Sequence, residues 1–371
     1  MLRKFFATGL LLSATMISFA QENVAVNNST APVTTEVKSE DPPEKKPVLT
    51  ISGSADTYFK YDFKKQPGNN KTSFTNSQNA FALGMASVKF EHTGSKVGMV
   101  ADLGFGPRAS EFSYNDAGIL SAVKQLYVSY TPVEGLKFTA GTWATHVGYE
   151  LVDPQLNRNY SMSYLFTNGP FTHTGLKAEY AKGKSSFMIG LSNATDYRIP
   201  PSGQINKKFV LAQYSVAPSE KVKLYFNYVG GKAPDTSIIN QFDVVATVSV
   251  TSKFNIGFNA SLNRSQAWDT DTKNNVTGKN WWGTAAYLNV DPKDWFGLTL
   301  RSELFNDKDG VKGFNTSIFA NTLSANFKVD GFTFIPELRL ESAGQPIYGD
   351  VSGLINQKSA VSFVLAAVYK F

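Results

Sequence analysis

The sequence predicts an all-β protein, a transmembrane antiparallel β-barrel of about sixteen strands with long extracellular loops and short periplasmic turns. Three observations lead there. From Leu49 nearly to the C-terminus, apolar and polar residues alternate with period two. The alternating runs are long for a soluble sheet and suited to tilted membrane strands. The breaks between runs are alternately short and long, a sorting that a soluble sandwich has no reason to show.

The first twenty residues read as a signal peptide. Arg3 and Lys4 form a charged start, an apolar run follows, and Ser18-Phe19-Ala20 is a small-x-small cleavage site. Residues 21–48 are rich in Ser, Thr, Pro, Glu and Lys, have no aromatic residue, and are expected to form a disordered periplasmic linker. The chain is then exported through the periplasm. The formal net charge is +6. Removing Arg3 and Lys4 leaves +4, and removing a linker with three Lys and five acids returns the barrel, residues 49–371, to +6. There is no cysteine, so in an exported chain stability must come from a source other than disulfides, and closure of a barrel is one such source.

Eight strands are expected at 50–63, 80–92, 95–107, 119–131, 135–147, 171–181, 184–194 and 206–217. Eight more follow at 220–230, 240–251, 253–263, 280–291, 295–306, 314–328, 331–341 and 358–371. In 253–263, Phe254, Ile256, Phe258, Ala260 and Leu262 alternate with Asn255, Gly257, Asn259, Ser261 and Asn263. The short turns include "TPVEG", "AKGK", "DPKD" and "KVDG". An even strand number returns both termini to one side and lets the last strand close on the first. Tyr130, Tyr214, Trp295, Phe371, Trp281 and Trp282 fall near strand ends, where aromatic girdles are expected.

On strand parity, the lumen face carries Asp56, Lys60, Lys89, Glu91, Asp102, Lys177, Glu179, Lys223, Asp243, Arg301, Glu303, Glu337, Arg339 and Glu341. Among them Lys177, Glu179, Lys223, Asp243, Arg301, Glu303, Glu337 and Arg339 are the pore-lining candidates. Hydration by a water channel is the expectation, since dry charges would have to be paired at heavy desolvation cost. The longest break, 148–170, contains the apolar run "SMSYLF", odd for an exposed loop. It is expected to fold into the pore, with Asn157, Arg158 and Tyr160 as constriction candidates and Arg158 contacting solute.

Little points to chemistry. His92 falls in a short turn. His146 and His173 flank the long break, but parity places His146 outward and His173 inward, which argues against a shared metal site. No metal site and no cofactor is expected. A lipid-face hydrolase would need a Ser–His pair, and no motif around His146 supports one. "DTDTKNNVTGKN" lacks the glycine and the terminal acid of a calcium loop. "GFGPRAS" lacks the Lys-Ser/Thr ending of a phosphate loop. The chain reads as a non-enzyme, and nothing in it suggests nucleic acid.

The stretch "HVGYELVDPQLNRNYSMSYLFTNGPFTHTGL", residues 146–176, resembles the beta-barrel porin family of the OmpL-like type. Gly148 and Glu150, Asn157, Tyr160 and Ser161, and Pro170, Phe171, His173 and Gly175 carry the resemblance. It implies a porin of a Gram-negative outer membrane. The ending Tyr369-x-Phe371 resembles the terminal signal read by the barrel assembly machinery. The expected function is passive diffusion of small hydrophilic solutes with weak anion preference, because basic residues are in excess. Expected partners are outer-membrane lipid, lipopolysaccharide, the assembly machinery and small solutes, with a homo-trimer open. The alternative is a plugged or structural barrel whose extracellular loops bind a partner as an adhesin or receptor.

Overall fold

Inter-strand hydrogen bonding runs without a gap around a ring of sixteen antiparallel strands. The computed structural model describes residues 47–203 and 207–371, so the expected signal peptide and nearly all of the linker lie outside the described residues. The strands are β1 (Val48–Asp62), β2 (Ala80–Thr93), β3 (Val97–Phe105), β4 (Val123–Val133), β5 (Leu136–Ala144), β6 (Thr172–Lys182), β7 (Ser185–Asn193) and β8 (Lys208–Ser219). They continue as β9 (Val222–Lys232), β10 (Ile238–Ser249), β11 (Phe254–Gln266), β12 (Lys279–Lys293), β13 (Phe296–Asn306), β14 (Ser317–Val329), β15 (Phe332–Ala343) and β16 (Ser359–Lys370). Two short hairpins sit in the loops at 268–275 and 348–357.

Connections at one end are short, as at 134–135, 183–184 and 330–331. Asp330 and Gly331 both have positive φ, 46° and 83°, the type I′ geometry that matches strand twist in a two-residue hairpin. The other end carries the long loops, among them 63–79, 106–122, 145–171 and 344–358. The fourth strand begins later than expected, because Gly118–Ala122 forms a 3-10 turn behind Gly118 at φ 64°. The fifth ends sooner, at Ala144, and the chain turns inward there.

Closure of the ring involves Phe371 as well as the last strand. β16 pairs β1 from Ser54↔Lys370 to Asp62↔Ser362. Beyond it, Gly53 and Phe371 exchange both backbone hydrogen bonds, at 3.1 and 3.0 Å. A Cβ on Gly53 would sit 2.6 Å from the Phe371 ring, so the glycine leaves the seat that the ring occupies.

The outward face is an apolar belt. Phe81, Leu83, Leu176, Ile189, Leu191, Phe242 and Leu340 are all exposed. Soluble monomers rarely expose contiguous apolar patches beyond a few hundred Å², so this surface is built for hydrocarbon. No helix among the described residues is long and apolar enough to cross a membrane; the strands do it. Tyr130, Trp282, Trp295 and Phe371 are exposed at strand ends, as girdle residues are. Trp281 departs from the expectation. Neighbours on a strand face opposite sides, and Trp281 is fully buried inside, against Phe305.

Candidate functional site

The loop between β5 and β6, residues 145–171, runs inside the barrel. A backbone segment removed from water must find partners for its N–H and C=O groups. Here the inward side chains of β13 and β15 supply them. Arg301 and Arg339 both register opposite Thr322 of the intervening β14, and Glu303 and Glu341 both register opposite Ala320. These small β14 residues leave space above themselves for charged groups from both flanking strands.

Glu337 accepts the backbone N–H groups of Tyr160 and Ser161 at 2.8 and 3.1 Å. Glu303 accepts that of Tyr164 at 2.8 Å. Arg301 donates to the Ser161 carbonyl at 2.7 Å, and Arg339 to the Met162 carbonyl at 2.8 Å. Within the loop, Glu150 takes the Ser163 N–H at 2.7 Å and pairs with Arg301 at 2.6 Å. Tyr164 donates its hydroxyl to Glu341 at 2.7 Å. On β1, Asp56 accepts the Tyr160 hydroxyl at 2.5 Å and the Met85 N–H at 2.9 Å. Gly84 makes that possible: a Cβ there would lie 1.7 Å from the Asp56 carboxylate. Hydrogen bonds to charged groups contribute about 1.5–3 kcal/mol each, so the set fixes the loop strongly.

From above, the short helix α1 (Pro107–Phe112) inserts Arg108, which is fully buried. Its guanidinium donates to the carbonyls of Val152 and Tyr160 at 3.1 and 3.3 Å and stacks on the Tyr160 ring. The apolar run of the loop is accounted for by packing. Met162 and Phe166 join Phe74, Phe112 and Phe171 in one cluster, and Tyr164 and Leu165 join Trp281 and Phe305 in another. Residues 194–203 close over the same corner. Asp196 accepts the N–H groups of Phe171 and Thr172 and the Tyr114 hydroxyl, and its burial pushes its carboxyl pKa upward.

The candidates separate on this geometry. Asn157 bonds Leu151 through both main-chain groups and shapes the loop itself. Tyr160 has no exposure and packs between α1 and the wall, so it is no constriction residue. Arg158 stays partly open, at 26% side-chain exposure. It forms a bidentate pair with Asp291 at 2.9 and 2.7 Å near the short-turn end, and donates to Thr299 at 2.8 Å. Asp243, Arg301, Glu303, Glu337 and Arg339 are all buried, at 4% exposure or less. Asp243 holds the Gly148 N–H, and the other four hold the loop. The expected hydration of these five does not hold, because loop backbone occupies the place assigned to water. Lys177, Glu179 and Lys223, on β6 and β9, keep partial exposure.

Parity also misplaced His146. Outward register extends only to Ala144, after which the chain enters the barrel. The His146 and His173 rings lie 5.3 Å apart. Arg108 and Glu150 were not foreseen as anchors, since neither lies on a strand and only tertiary contact reveals them.

The family described as "Putative beta-barrel porin-2, OmpL-like" matches residues 48–371. The chain belongs to that family. This porin also shares its architecture with solved barrels at low identity. The anion-selective porin of Comamonas acidovorans is 9% identical, with 88% of this chain and 100% of that one covered and a TM-score of 0.58. The outer-membrane channel DcaP of Acinetobacter baumannii is 10% identical, with 88% and 97% covered at 0.57. OmpT of Vibrio cholerae is 12% identical, with 91% and 100% covered at 0.56. No curated protein matches the chain. The closed sixteen-strand barrel and the family together make this a porin of the outer-membrane type.

Proposed function

We propose that this porin passes small hydrophilic solutes by passive diffusion, with weak anion preference, along the part of the lumen that the inserted loop leaves uncovered. The supporting observation is how the loop divides the wall. Most of it lies against β1 and β10–β15, with Asp153 paired to Lys124 of β4 and His146 bonded to the Tyr228 carbonyl of β9, whereas inward charges of β2, β5, β6 and β9 keep partial exposure. There four lysines, Lys89, Lys137, Lys177 and Lys223, face two glutamates, Glu91 and Glu179. Lys89 pairs with Glu91 at 3.0 Å and Lys177 with Glu179 at 3.2 Å. The net excess is positive, and a wall of one sign favours counter-ions. Arg158 is the most exposed charge of the loop and is paired with Asp291. In this reading the short turns are periplasmic. The signal peptide exports the chain, Tyr369 and Phe371 are read by the assembly machinery, and basic residues at the outer rim such as Arg264 meet lipopolysaccharide. A trimer fits the same picture; OmpT of Vibrio cholerae is described in a trimer form.

One observation favours the plugged barrel instead. Buried apolar clusters line the barrel interior beside the long loops, one of them joining Val147 of the inserted loop to Trp143, Phe209 and Leu211 of the wall. Bilayer recording under a salt gradient separates the two. Stable steps with a reversal potential of anionic sign support the diffusion reading. Silence from folded protein supports a plugged barrel whose loops bind a partner.

A further inference from the structure

The histidine pair at the head of the inserted loop has a chemistry that the channel reading does not use. His146 follows the end of β5, and His173 is the second residue of β6. Their ring centroids are 5.3 Å apart, at an interplanar angle of 44°. His146 Nε2 lies 3.1 Å from the Tyr228 carbonyl. A carbonyl only accepts, so Nε2 carries the hydrogen and Nδ1 keeps its lone pair. His173 Nε2 bonds the Thr145 hydroxyl at 3.1 Å. Nδ1 of each ring is buried without a hydrogen-bond partner.

We propose that His146 and His173 together bind one divalent transition-metal ion of the zinc–copper class through their Nδ1 atoms, with water completing the coordination.

Metal-ligating histidines typically anchor their second nitrogen on a carbonyl or other oxygen, which fixes the ring and presents the free nitrogen. The Tyr228 carbonyl fixes His146 in that arrangement, and the Thr145 hydroxyl, which also accepts the Val147 N–H, can accept from His173 Nε2 and leave its Nδ1 free in the same way. The spacing agrees as well: two imidazoles on one tetrahedral ion, with metal–nitrogen bonds of about 2.0–2.1 Å, place their ring centroids about 5 Å apart. Imidazole suits zinc, copper and nickel. No group of three ligating residues surrounds the pair among the described residues, so the protein contributes two ligands. Lys177 stands nearby and opposes a second cation, which places the site below structural zinc centres in affinity.

The experiment is Cu²⁺ titration of the full chain, folded in detergent without a histidine tag, read by electron paramagnetic resonance. Metal is added both before and after folding, and heat-modifiability on gels confirms folding of every variant. The wild type is expected to show hyperfine coupling to two imidazole nitrogens. H146Q and H173Q should each lose that pattern and bind at least about tenfold more weakly. H92Q, which removes the third histidine, should leave it intact. A wild type without nitrogen coupling in either order of addition would overturn the site, as would coupling unchanged in both variants or abolished in H92Q.

Discussion

Glu337 of β15 accepts the main-chain N–H of Tyr160 at 2.8 Å, and its second oxygen accepts that of Ser161 at 3.1 Å. A side chain whose parity marks it as pore-lining is thereby consumed in holding a loop. The same holds for Glu303, Arg301 and Arg339. Their positions follow from the strand period, but their role follows from what lies against them.

Removing that grip should loosen the loop before it unfolds the barrel. E337A leaves two buried N–H groups unpaired, at a cost of about 1–3 kcal/mol each. Hydrogen exchange should show faster exchange over 158–166 in E337A, with strands β5–β9 unchanged.

Gly84 tests the β1 end of the same contact. G84A places a Cβ where the Asp56 carboxylate sits, 1.7 Å from its oxygen. Asp56 must move, and its bonds to Met85 and Tyr160 are lost. A fall in the unfolding midpoint equivalent to about 1–3 kcal/mol is expected. G68A, where the nearest atom would be 3.9 Å away, should be neutral.

Deleting Phe371 removes two backbone hydrogen bonds to Gly53, about 1–3 kcal/mol together, and empties the seat over that glycine. Less heat-modifiable barrel should form at a given temperature, and the assembled fraction in cells should fall further than in-vitro refolding does if the assembly machinery reads this residue.

Charge reversal should separate the two walls. K223E and K137E act on partly exposed residues and should lower the anion-to-cation permeability ratio roughly twofold or more, with folding intact. R301Q breaks a fully buried charge network, at a cost of about 3–5 kcal/mol, and should appear in folding yield instead of reversal potential.

Two loop carboxylates should respond to acid with opposite sign. Burial raises the Asp196 pKa, so the folded state holds that proton more tightly and acidification through the carboxylate range tightens the segment around Asp196 instead of releasing it. Bonds from Ser352 and Asn356 lower the Asp350 pKa, so its contribution to loop 344–358 is present above the ordinary carboxylate value of about 4 and is lost as pH falls through the lowered value. Exchange measured from pH 7 to pH 3, relative to the intrinsic rate at each pH, should rise at 350–356 and slow at 196–198.

The strands were legible because a period-two pattern reports facing residue by residue, and the turns because short and long breaks alternate along the chain. That the loop at 148–170 enters the lumen was signalled by the apolar "SMSYLF". What parity does not carry is the identity of the neighbour across the lumen. Glu303 reads the same whether water or the Tyr164 N–H stands before it. Parity also fails past the last strand residue, which is why His146 was assigned outward, and at Trp281 a pair of adjacent tryptophans read together as girdle splits between the two faces. Arg108 lies in a loop helix too short for its pattern to show a face.

The most direct test of the account is the single-channel conductance of a barrel lacking residues 155–166, compared with the intact porin in planar bilayers. If the inserted loop narrows the lumen, the deletion should give larger and less stable conductance steps. Conductance unchanged from the intact porin would contradict the placement of the constriction in this loop.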